Sequence, residues 1–289
     1  MHKPDINNEQ SQPVHFGMPT LIESPSLLQS LNLCAELGLD FIELNMNLPE
    51  YQIENIDASS VSIMLAETGK YISIHLDENL NVCDFNTAVA EAYINTVLKT
   101  IEFAKNVNAP IINMHMSDGV YFTLPGKKVY LFERYMERYL DRLRFYRDAC
   151  DKAIGESDIA ICIENCGEYR SFQKQGINEL LESKHFALTY DIGHDFYTGN
   201  SNELFILERF DKLKHMHIHD VAGNNLHLPL GDGDVDILGK LRLAQKTGCR
   251  CVLEAKTIEG LKKSVDYLDE IIRYMDEHAD AELSTVEDI

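Results

Sequence analysis

The sequence predicts a single-domain α/β protein with the fold of a (β/α)8 barrel, also called a TIM barrel. Eight short apolar segments are spread along the 289 residues, and stretches with the pattern of helices lie between them. Most of these segments end in a carboxylate or a histidine, from Glu43 to Glu254. Because the C-terminal ends of parallel strands meet at one mouth of a barrel, we expect these polar residues to be neighbours in space.

Each predicted element depends on a local pattern. The predicted strands are the apolar segments at 14–18, 39–45, 71–76, 109–116, 159–165, 186–194, 214–220 and 249–256. The predicted helices lie at 24–38, 57–69, 86–106, 129–154, 176–183, 201–210, 235–247 and 257–276. The first helix is expected to open at Ser24 and Pro25 and to stop at Gly38, since proline favours a first turn and glycine an end. Residues 117–128 are expected to form a long loop beside the mouth.

Length and composition define the class of protein. A chain of this length with 45% hydrophobic residues can bury one large core, and no composition break marks a linker. We expect the barrel over residues 14–277, a disordered leader over 1–13 and an acidic tail over 278–289. No apolar stretch approaches the roughly 20 residues that span a bilayer, and the N-terminus is too polar for a signal peptide. These features predict a cytoplasmic protein with no membrane partner.

Charge and cysteine content argue against a nucleic-acid-binding protein, a disulfide-stabilised protein and a cysteine-based zinc protein. The formal net charge of −21 disfavours binding to nucleic acid phosphates. The seven cysteines form no CxxC pair and several lie in apolar segments, so neither a disulfide framework nor a cysteine zinc site is expected. Exposed apolar helix faces could form a homodimer, although the sequence does not identify the face.

A divalent-metal site is the central functional prediction. The fifth to eighth predicted strands end, in order, at Glu164, Asp191, His217 and Glu254. Three carboxylates that converge on one mouth repel each other unless a cation or protons neutralise them. Carboxylate oxygens and imidazole nitrogens suit Mn²⁺, Mg²⁺, Co²⁺ or Zn²⁺. We expect one ion, and the polar residues nearby could hold up to three.

A second group of histidines is expected either to bind substrate or to bind further metal ions. The group consists of His75, His115, His194 and His227. His194 lies three residues after Asp191, so one short turn can present both. The seventh strand carries histidines at alternate positions, which share one side of it, and His215, the deepest, is expected in the core. Glu43 has no support for a metal role beyond its place at a strand end.

The segment at 227–236, HLPLGDGDVD, predicts a tight loop. Its two glycines permit unusual backbone angles, and Asp236 is expected to cap the next helix. A lone GxG is weak evidence for phosphate binding, and the acidic neighbours Asp232 and Asp234 argue against it.

Together these residues make the chain resemble the xylose-isomerase-like TIM-barrel superfamily. That superfamily includes sugar and sugar phosphate isomerases and epimerases, inosose dehydratases, and zinc apurinic-site endonucleases of the endonuclease IV type. The resemblance extends over nearly the whole chain. Its most specific part is HIHDVAGNNLHLPLGDGDVD, similar to the HxHD…HLPxGxGxxD segment of the isomerase and epimerase branch. IEN after strand five, DxxH after strand six and LE on strand eight agree with it.

The resemblance to the epimerases implies a role for each residue. The metal ligands would be Glu164, Asp191, His217 and Glu254. Glu164 and Glu254 would also be the catalytic acid/base pair, and His194 would bind the sugar or sugar phosphate substrate. A metal that bridges a ketose carbonyl and its neighbouring hydroxyl acidifies the C–H bond between them and stabilises the enediolate. Two carboxylates can then remove a proton from one side and return one to the other.

Two positions depart from the ketohexose 3-epimerases, so their substrate is not carried over. Gly223 stands where those enzymes have an arginine, and Arg170 stands where they have a glutamate. Arg170 is instead a candidate for binding an anionic group such as a sugar phosphate, and the same applies to Lys127, Lys128 and Lys256. By default each of these is a solvated surface charge.

Two alternatives remain. The endonuclease pattern would assign zinc ligands to His75, His115, Glu164, Asp191, His194, His217, His227 and Glu254. Asn225 stands where that family has an aspartate for the third metal, and a neutral amide is a poorer ligand. The absence of a basic surface further disfavours a DNA repair function. The other alternative is a binding protein that kept the barrel and lost catalysis, for which we expect an incomplete metal site.

Overall fold

The described residues form a closed barrel of eight parallel strands. The structure is a computed structural model that describes residues 13–286, with side chains described as far as residue 278. The barrel strands, called first to eighth below, are His15–Pro19, Phe41–Asn45, Tyr71–His75, Ile111–His115, Ala160–Glu164, Phe186–Asp191, Leu213–Ile218 and Arg250–Leu253. The first strand pairs with both the second and the eighth, which closes the barrel. The predicted single-domain (β/α)8 fold is confirmed.

Helices connect the strands around the barrel. The α-helical segments of the described chain are Leu27–Glu36, Ala58–Thr68, Thr87–Val107, Leu131–Arg134, Met136–Ile154, Ser171–Leu181, Ile192–Tyr197, Glu203–Leu207, Ile237–Thr247 and Ile258–Val286. The first helix begins later than predicted. Ser26 caps it by accepting a hydrogen bond from the backbone N–H of Gln29, so Pro25 lies before the cap. Gly38 follows the end of this helix with a φ of 69°, in agreement with its predicted role.

Two β-hairpins follow barrel strands, and neither was predicted. Tyr121–Leu124 pairs with Lys127–Tyr130 where a long loop over 117–128 was expected. Asp220–Ala222 pairs with Asn225–Leu228 directly after the seventh strand. Both are short: the first strand of the first hairpin is exposed along its length, and the first strand of the second has one fully buried apolar residue, Val221, so neither shows an apolar run in the sequence. The second hairpin returns the chain to the mouth of the barrel.

The turn after the sixth strand is helical. The predicted strand over 186–194 ends at Asp191, because the Asp191 carboxylate accepts a hydrogen bond from the backbone N–H of His194 at 2.7 Å and so caps the helix Ile192–Tyr197. The sequence correctly placed Asp191 and His194 on one short turn, but it did not identify that turn as a helix start.

The last helix differs from the prediction, and part of each terminus lies outside the described residues. Residues 1–12 of the predicted leader lie outside the described residues. The last helix was predicted to end at 276 but continues to Val286, so the described backbone of the predicted acidic tail, 278–289, is helical. Residues 287–289 lie outside the described residues. Within the described part of the chain, no helix combines the length and the apolar character needed to cross a membrane.

Candidate metal centre

Four polar side chains converge at the C-terminal mouth of the barrel. They are Glu164, Asp191, His217 and Glu254, from the fifth to eighth strands or the residue after a strand. His217 Nδ1 lies 2.9 Å from Glu164 Oε1, and it is 3.6 Å from Glu254 Oε2 and 3.9 Å from Asp191 Oδ2. One ligand atom from each of the four lies within 4.8 Å of the others. The structure therefore brings together the four predicted metal ligands, here called the central cluster.

The donor set of the central cluster fits a divalent cation. Asp191 Oδ2, His217 Nδ1 and Glu254 Oε2 are buried; the two oxygens have no hydrogen-bond partner, and Nδ1 forms an ion pair with Glu164 at 2.9 Å without a well-directed hydrogen bond. A buried polar atom without a partner costs free energy unless another group satisfies it. Carboxylate oxygens and an imidazole nitrogen suit Mn²⁺, Mg²⁺, Co²⁺ or Zn²⁺. One such ion would satisfy all three atoms.

Charged histidine balances the carboxylates when no cation is bound. Burial opposes the ionisation of Glu164, but the charges of His217 and His115 outweigh it and hold the pKa of Glu164 well below its usual range. Burial also opposes the charge of His217, yet Glu164 and Glu43 raise the pKa of His217 well above its usual value. At Glu254 the charge of His217 overcomes burial and lowers the pKa to about 2. A cation that binds here must therefore displace the proton of His217.

Glu164 also belongs to a second cluster. Its Oε2 atom lies 3.2 Å from His75 Nε2 and 3.2 Å from His115 Nε2. The side-chain amide of Asn113 donates a hydrogen bond to the same oxygen. Two imidazoles and one carboxylate oxygen are a donor set that suits a second cation, with the two oxygens of Glu164 divided between the clusters.

Three further histidines lie next to Asp191. They are His194, His219 and His227, whose ligand atoms lie within 4.8 Å of one another. His219 Nε2 is 3.2 Å from Asp191 Oδ1, and the ring centroids of His219 and His227 are 4.2 Å apart. Sequence reasoning gave His219 no role of its own; its signals were the alternation of histidines along the seventh strand and its place as the second histidine of the HxHD segment. Asn225, which replaces an aspartate of the endonucleases, is exposed.

Glu43, for which the sequence indicated no metal role, lies behind His217. It is 2% exposed, and its Oε1 atom is 2.9 Å from His217 Nε2. Its Oε2 atom accepts a hydrogen bond from Ser73 at 3.0 Å and lies 2.9 Å from His215 Nε2. A carboxylate beside one imidazole nitrogen favours the tautomer with the proton on that nitrogen. In His217 this nitrogen is Nε2, so Nδ1 is left free to bind a metal. His215 is fully buried, as expected.

The glycine-containing loop at 227–236 wraps around a buried carboxylate. Four backbone N–H groups donate to the Asp220 carboxylate at 2.9–3.1 Å, those of Val221, Gly231, Gly233 and Val235. A Cβ at Gly233 would lie 2.4 Å from Asp220 Oδ1, and Gly231 has a φ of 86°, so both positions favour glycine. The amides of this loop are thus engaged by the protein itself. Asp236 caps the following helix, as predicted.

Most of the predicted anion-binding side chains lie away from the clusters. Arg170 is not among the residues that line the cavity described next. Its guanidinium pairs with Asp118 at 3.1 Å and covers the ring of Tyr130 at 4.0 Å. Lys127 and Lys128 are exposed on the first hairpin. The structure does not bring these three cations to the candidate centre.

A cavity of about 780 Å³ opens over the clusters. Its lining includes the predicted site residues His75, His115, Glu164, His194, His227 and Glu254. Thr20 and Asn79, from the loops after the first and third strands, and Asn45, at the end of the second strand, add polar side chains. Lys256 also lines the cavity, with Nζ 2.7 Å from Glu254 Oε1. A cavity of this size and polarity fits a small polar molecule.

The fold and the site place the protein in the class of (β/α)8 barrels that have a candidate metal centre at the C-terminal mouth. The model of the family described as xylose isomerase-like TIM barrel matches residues 31–278, and the chain belongs to that family. The resemblance predicted from the sequence is confirmed.

Relatives with this fold include proteins of known and unknown activity. The uncharacterized protein MJ1311 of Methanocaldococcus jannaschii is 24% identical over 280 residues, which cover 91% of this chain and 90% of the relative. A D-tagatose 3-epimerase-like protein has a TM-score of 0.74 at 22% identity, covering 92% of this chain and 100% of that chain. The 3-keto-D-glucoside 4-epimerase YcjR from E. coli has a TM-score of 0.71 at 16% identity, covering 90% and 100%. At these identities the structural likeness shows the shared fold.

Proposed function

We propose that this protein is a divalent-metal-dependent isomerase or epimerase that acts on a sugar or a sugar phosphate. The observation that carries the proposal is the central cluster, in which Glu164 and Glu254 bring carboxylate oxygens within 4.8 Å of each other at a polar cavity. The likeness in fold to two proteins named as an epimerase or epimerase-like supports it.

The two glutamates are the proposed acid/base pair. When bound, a divalent cation supplies electrostatic stabilisation for the negative charge that develops on the substrate oxygens. One carboxylate accepts the proton from the carbon beside the carbonyl, and the other returns a proton to the substrate. In Glu254, Oε1 accepts a hydrogen bond from Lys256, and Oε2 has no hydrogen-bond partner and faces the central cluster.

The lining of the cavity indicates how a sugar would be held. Thr20 and Asn45 provide hydroxyl and amide groups that can both donate to and accept from sugar hydroxyls. His194 and His227 are the proposed substrate contacts beside the central cluster, and His75 and His115 are those beside Glu164. Among the described residues that line the cavity, Lys256 is the one lysine or arginine.

A second function is favoured by the sharing of Glu164 between two clusters. Two cations that share one carboxylate form the kind of centre that hydrolyses phosphodiesters. Charge also favours a second cation, since three buried carboxylates, Glu43, Glu164 and Asp191, lie at this mouth beside the partly buried Glu254. The second candidate is thus a zinc-dependent phosphodiesterase of the endonuclease IV type, against which the net charge of −21 argues.

The deciding experiment tests both reactions on one preparation. The protein is loaded with Mn²⁺ or Zn²⁺, and its metal content is measured by elemental analysis. It is then incubated in D₂O with ketopentoses, ketohexoses and their phosphates, and separately with duplex DNA that contains an abasic site. We expect deuterium at the carbon beside the carbonyl of at least one sugar. Nicking of the DNA without deuterium exchange overturns the isomerase proposal in favour of hydrolysis, and a protein that retains no metal indicates a binding function.

Substitution of the two glutamates tests the mechanism. We expect Glu164→Gln and Glu254→Gln to lower deuterium exchange by about 10²-fold or more, because each removes a proton-transfer group. Metal content is measured in both variants, since each residue is also a proposed ligand. Glu168→Gln is the matched control, because Glu168 is exposed and lies four residues from Glu164. Full exchange in the two glutamine variants would contradict the acid/base assignment.

A further inference from the structure

His219 lies against the candidate centre without lining the cavity. It is 1% exposed. Its Nδ1 atom accepts a hydrogen bond from the backbone N–H of His227 at 3.0 Å, which is shorter than its 3.3 Å separation from the backbone oxygen of Asp220, and its Nε2 atom lies 3.2 Å from Asp191 Oδ1. A neutral imidazole that accepts at Nδ1 carries its proton on Nε2. That proton therefore faces the carboxylate of Asp191.

The two carboxylate oxygens of Asp191 have different contacts, and one of them faces His219. Oδ1 faces His219 Nε2 and also accepts the backbone N–H of His194 at 2.7 Å. Oδ2 is buried without a hydrogen-bond partner and lies 3.9 Å from His217 Nδ1. Asp191 is thus held through one oxygen and presents the other to the central cluster.

The other ring nitrogen of His219 acts on the backbone of His227. His227 has a φ of 54°, in the left-handed region that a residue with a side chain seldom adopts. The bond to His219 Nδ1 holds the amide of His227 in this conformation, and the two rings lie with centroids 4.2 Å apart. His219 therefore also fixes where His227 enters the cavity.

The chain leaves space for the ring of His219. A Cβ at Gly193 would lie 2.1 Å from the His219 ring, so a larger residue there would displace the imidazole. Gly193 has no positive φ that would otherwise require glycine. The absence of a side chain at Gly193 serves the close approach of this one ring.

We propose that His219 is a positioning residue. Its Nε2 atom orients Asp191 for metal binding, and its Nδ1 atom holds the backbone of His227 at the cavity. The proposal rests on the metal centre of the proposed function. His219 is assigned to positioning because both of its ring nitrogens already face protein atoms, Nε2 the Asp191 carboxylate and Nδ1 the amide of His227, although its ring lies close to those of His194 and His227.

The test uses the full chain and Mn²⁺ as the probe. Calorimetric titration gives the Kd and the number of ions for the wild type, His219→Phe, His219→Gln and Gly193→Ala. We expect His219→Phe and Gly193→Ala to weaken Mn²⁺ binding about 10- to 100-fold at an unchanged number of ions. His219→Gln keeps a donor and an acceptor and is expected to recover part of the loss. His185→Phe replaces another buried histidine, which lies directly before the sixth strand and belongs to none of the clusters; it is the matched control and is expected to bind as the wild type does.

A second readout is independent of metal. Nitrogen-15 NMR of histidine-labelled, metal-free protein shows which ring nitrogen of His219 carries the proton, with the signal assigned by its loss in His219→Gln. We expect the proton on Nε2. Any of three results overturns the proposal. The first is a proton on Nδ1 in place of Nε2. The others are an unchanged Mn²⁺ affinity in both His219 variants and the loss of one ion per chain in those variants. Wild-type protein that binds no Mn²⁺ overturns the metal centre itself, and the proton position then still tests the contact with Asp191.

Discussion

Glu43 shows that a metal site depends on more than its ligands. Burial opposes the ionisation of Glu43, but the charges of His217 and His215 hold its pKa well below the usual range. It is therefore ionised behind His217. A carboxylate in this place raises the basicity of the histidine and orients its ring.

We expect Glu43→Gln to weaken Mn²⁺ binding about 10- to 100-fold, because an amide orients His217 less firmly than a carboxylate does. Calorimetric titration measures the Kd. Glu50→Gln is the control, since Glu50 is exposed in the loop after the same strand. Equal affinity in Glu43→Gln and the wild type would show that His217 binds without this support.

Lys256 can distinguish a sugar from a sugar phosphate. Its side chain is 56% exposed, and its Nζ atom donates to Glu254 Oε1 at 2.7 Å. We expect Lys256→Met to raise the KM of a phosphorylated substrate about tenfold or more, because a hydrogen bond to a charged group is lost. The KM of the free sugar is expected to change less, and Lys256→Arg serves as the charge-preserving control. An equal rise for both substrates would mean that Lys256 only orients Glu254.

At the scale of single residues, the sequence shows which polar side chains lie at the ends of strands. It does not show which other side chains they contact. The four residues of the central cluster each follow an apolar run, and that rule was enough to bring them together. Glu43 and His219 were given no role, because their importance depends on which atoms of His217 and Asp191 they face. Arg170 was a candidate for binding an anion, and its pairing with Asp118 was not foreseen, because the two residues lie 52 positions apart in the chain.

At the scale of elements, the loop around Asp220 is held by charge-assisted hydrogen bonds from four amides. We expect Gly233→Ala to lower the free energy of unfolding by about 1–3 kcal/mol, because the added Cβ would overlap Asp220 and the backbone of Val221. Denaturant unfolding of the metal-free protein measures this. Gly167→Ala is the control, since a Cβ at Gly167 meets no atom within 4 Å. A neutral effect of Gly233→Ala would show that the loop adapts without loss.

The elements of the barrel were largely predictable, and the insertions between them were not. All eight barrel strands coincide with predicted apolar runs, since a strand covered on both faces must be apolar along its length. The two hairpins and the helix Ile192–Tyr197 leave no such pattern. The hairpins form by antiparallel pairing of short, partly exposed segments, and the helix follows from the capping carboxylate of Asp191.

At the scale of the whole molecule, metal binding is expected to depend on pH. The pKa of His217 is raised in the metal-free protein, so His217 is protonated below that pKa and an incoming cation must displace the proton. Mn²⁺ affinity is therefore expected to rise with pH, by about tenfold per unit, until the pH passes the raised pKa of His217, and then to level off. Titration calorimetry in two buffers of different ionisation enthalpy measures the proton release. Binding without proton release would contradict the assignment of His217 Nδ1 as a ligand.

The residues of the central cluster lie on the fifth to seventh strands and directly after the eighth. A cation bound there would therefore stabilise the half of the barrel that contains these four strands. Deuterium uptake by backbone amides, followed by mass spectrometry with and without Mn²⁺, would reveal this asymmetry. We expect slower uptake in the last four strands, while the first and second strands, held by apolar packing and their own ladders, change little. Slower uptake that extends to the third and fourth strands would report an ion between His75 and His115 as well. The pattern of exchange around the barrel would thus show whether the cluster of His75, His115 and Glu164 is occupied together with the central cluster.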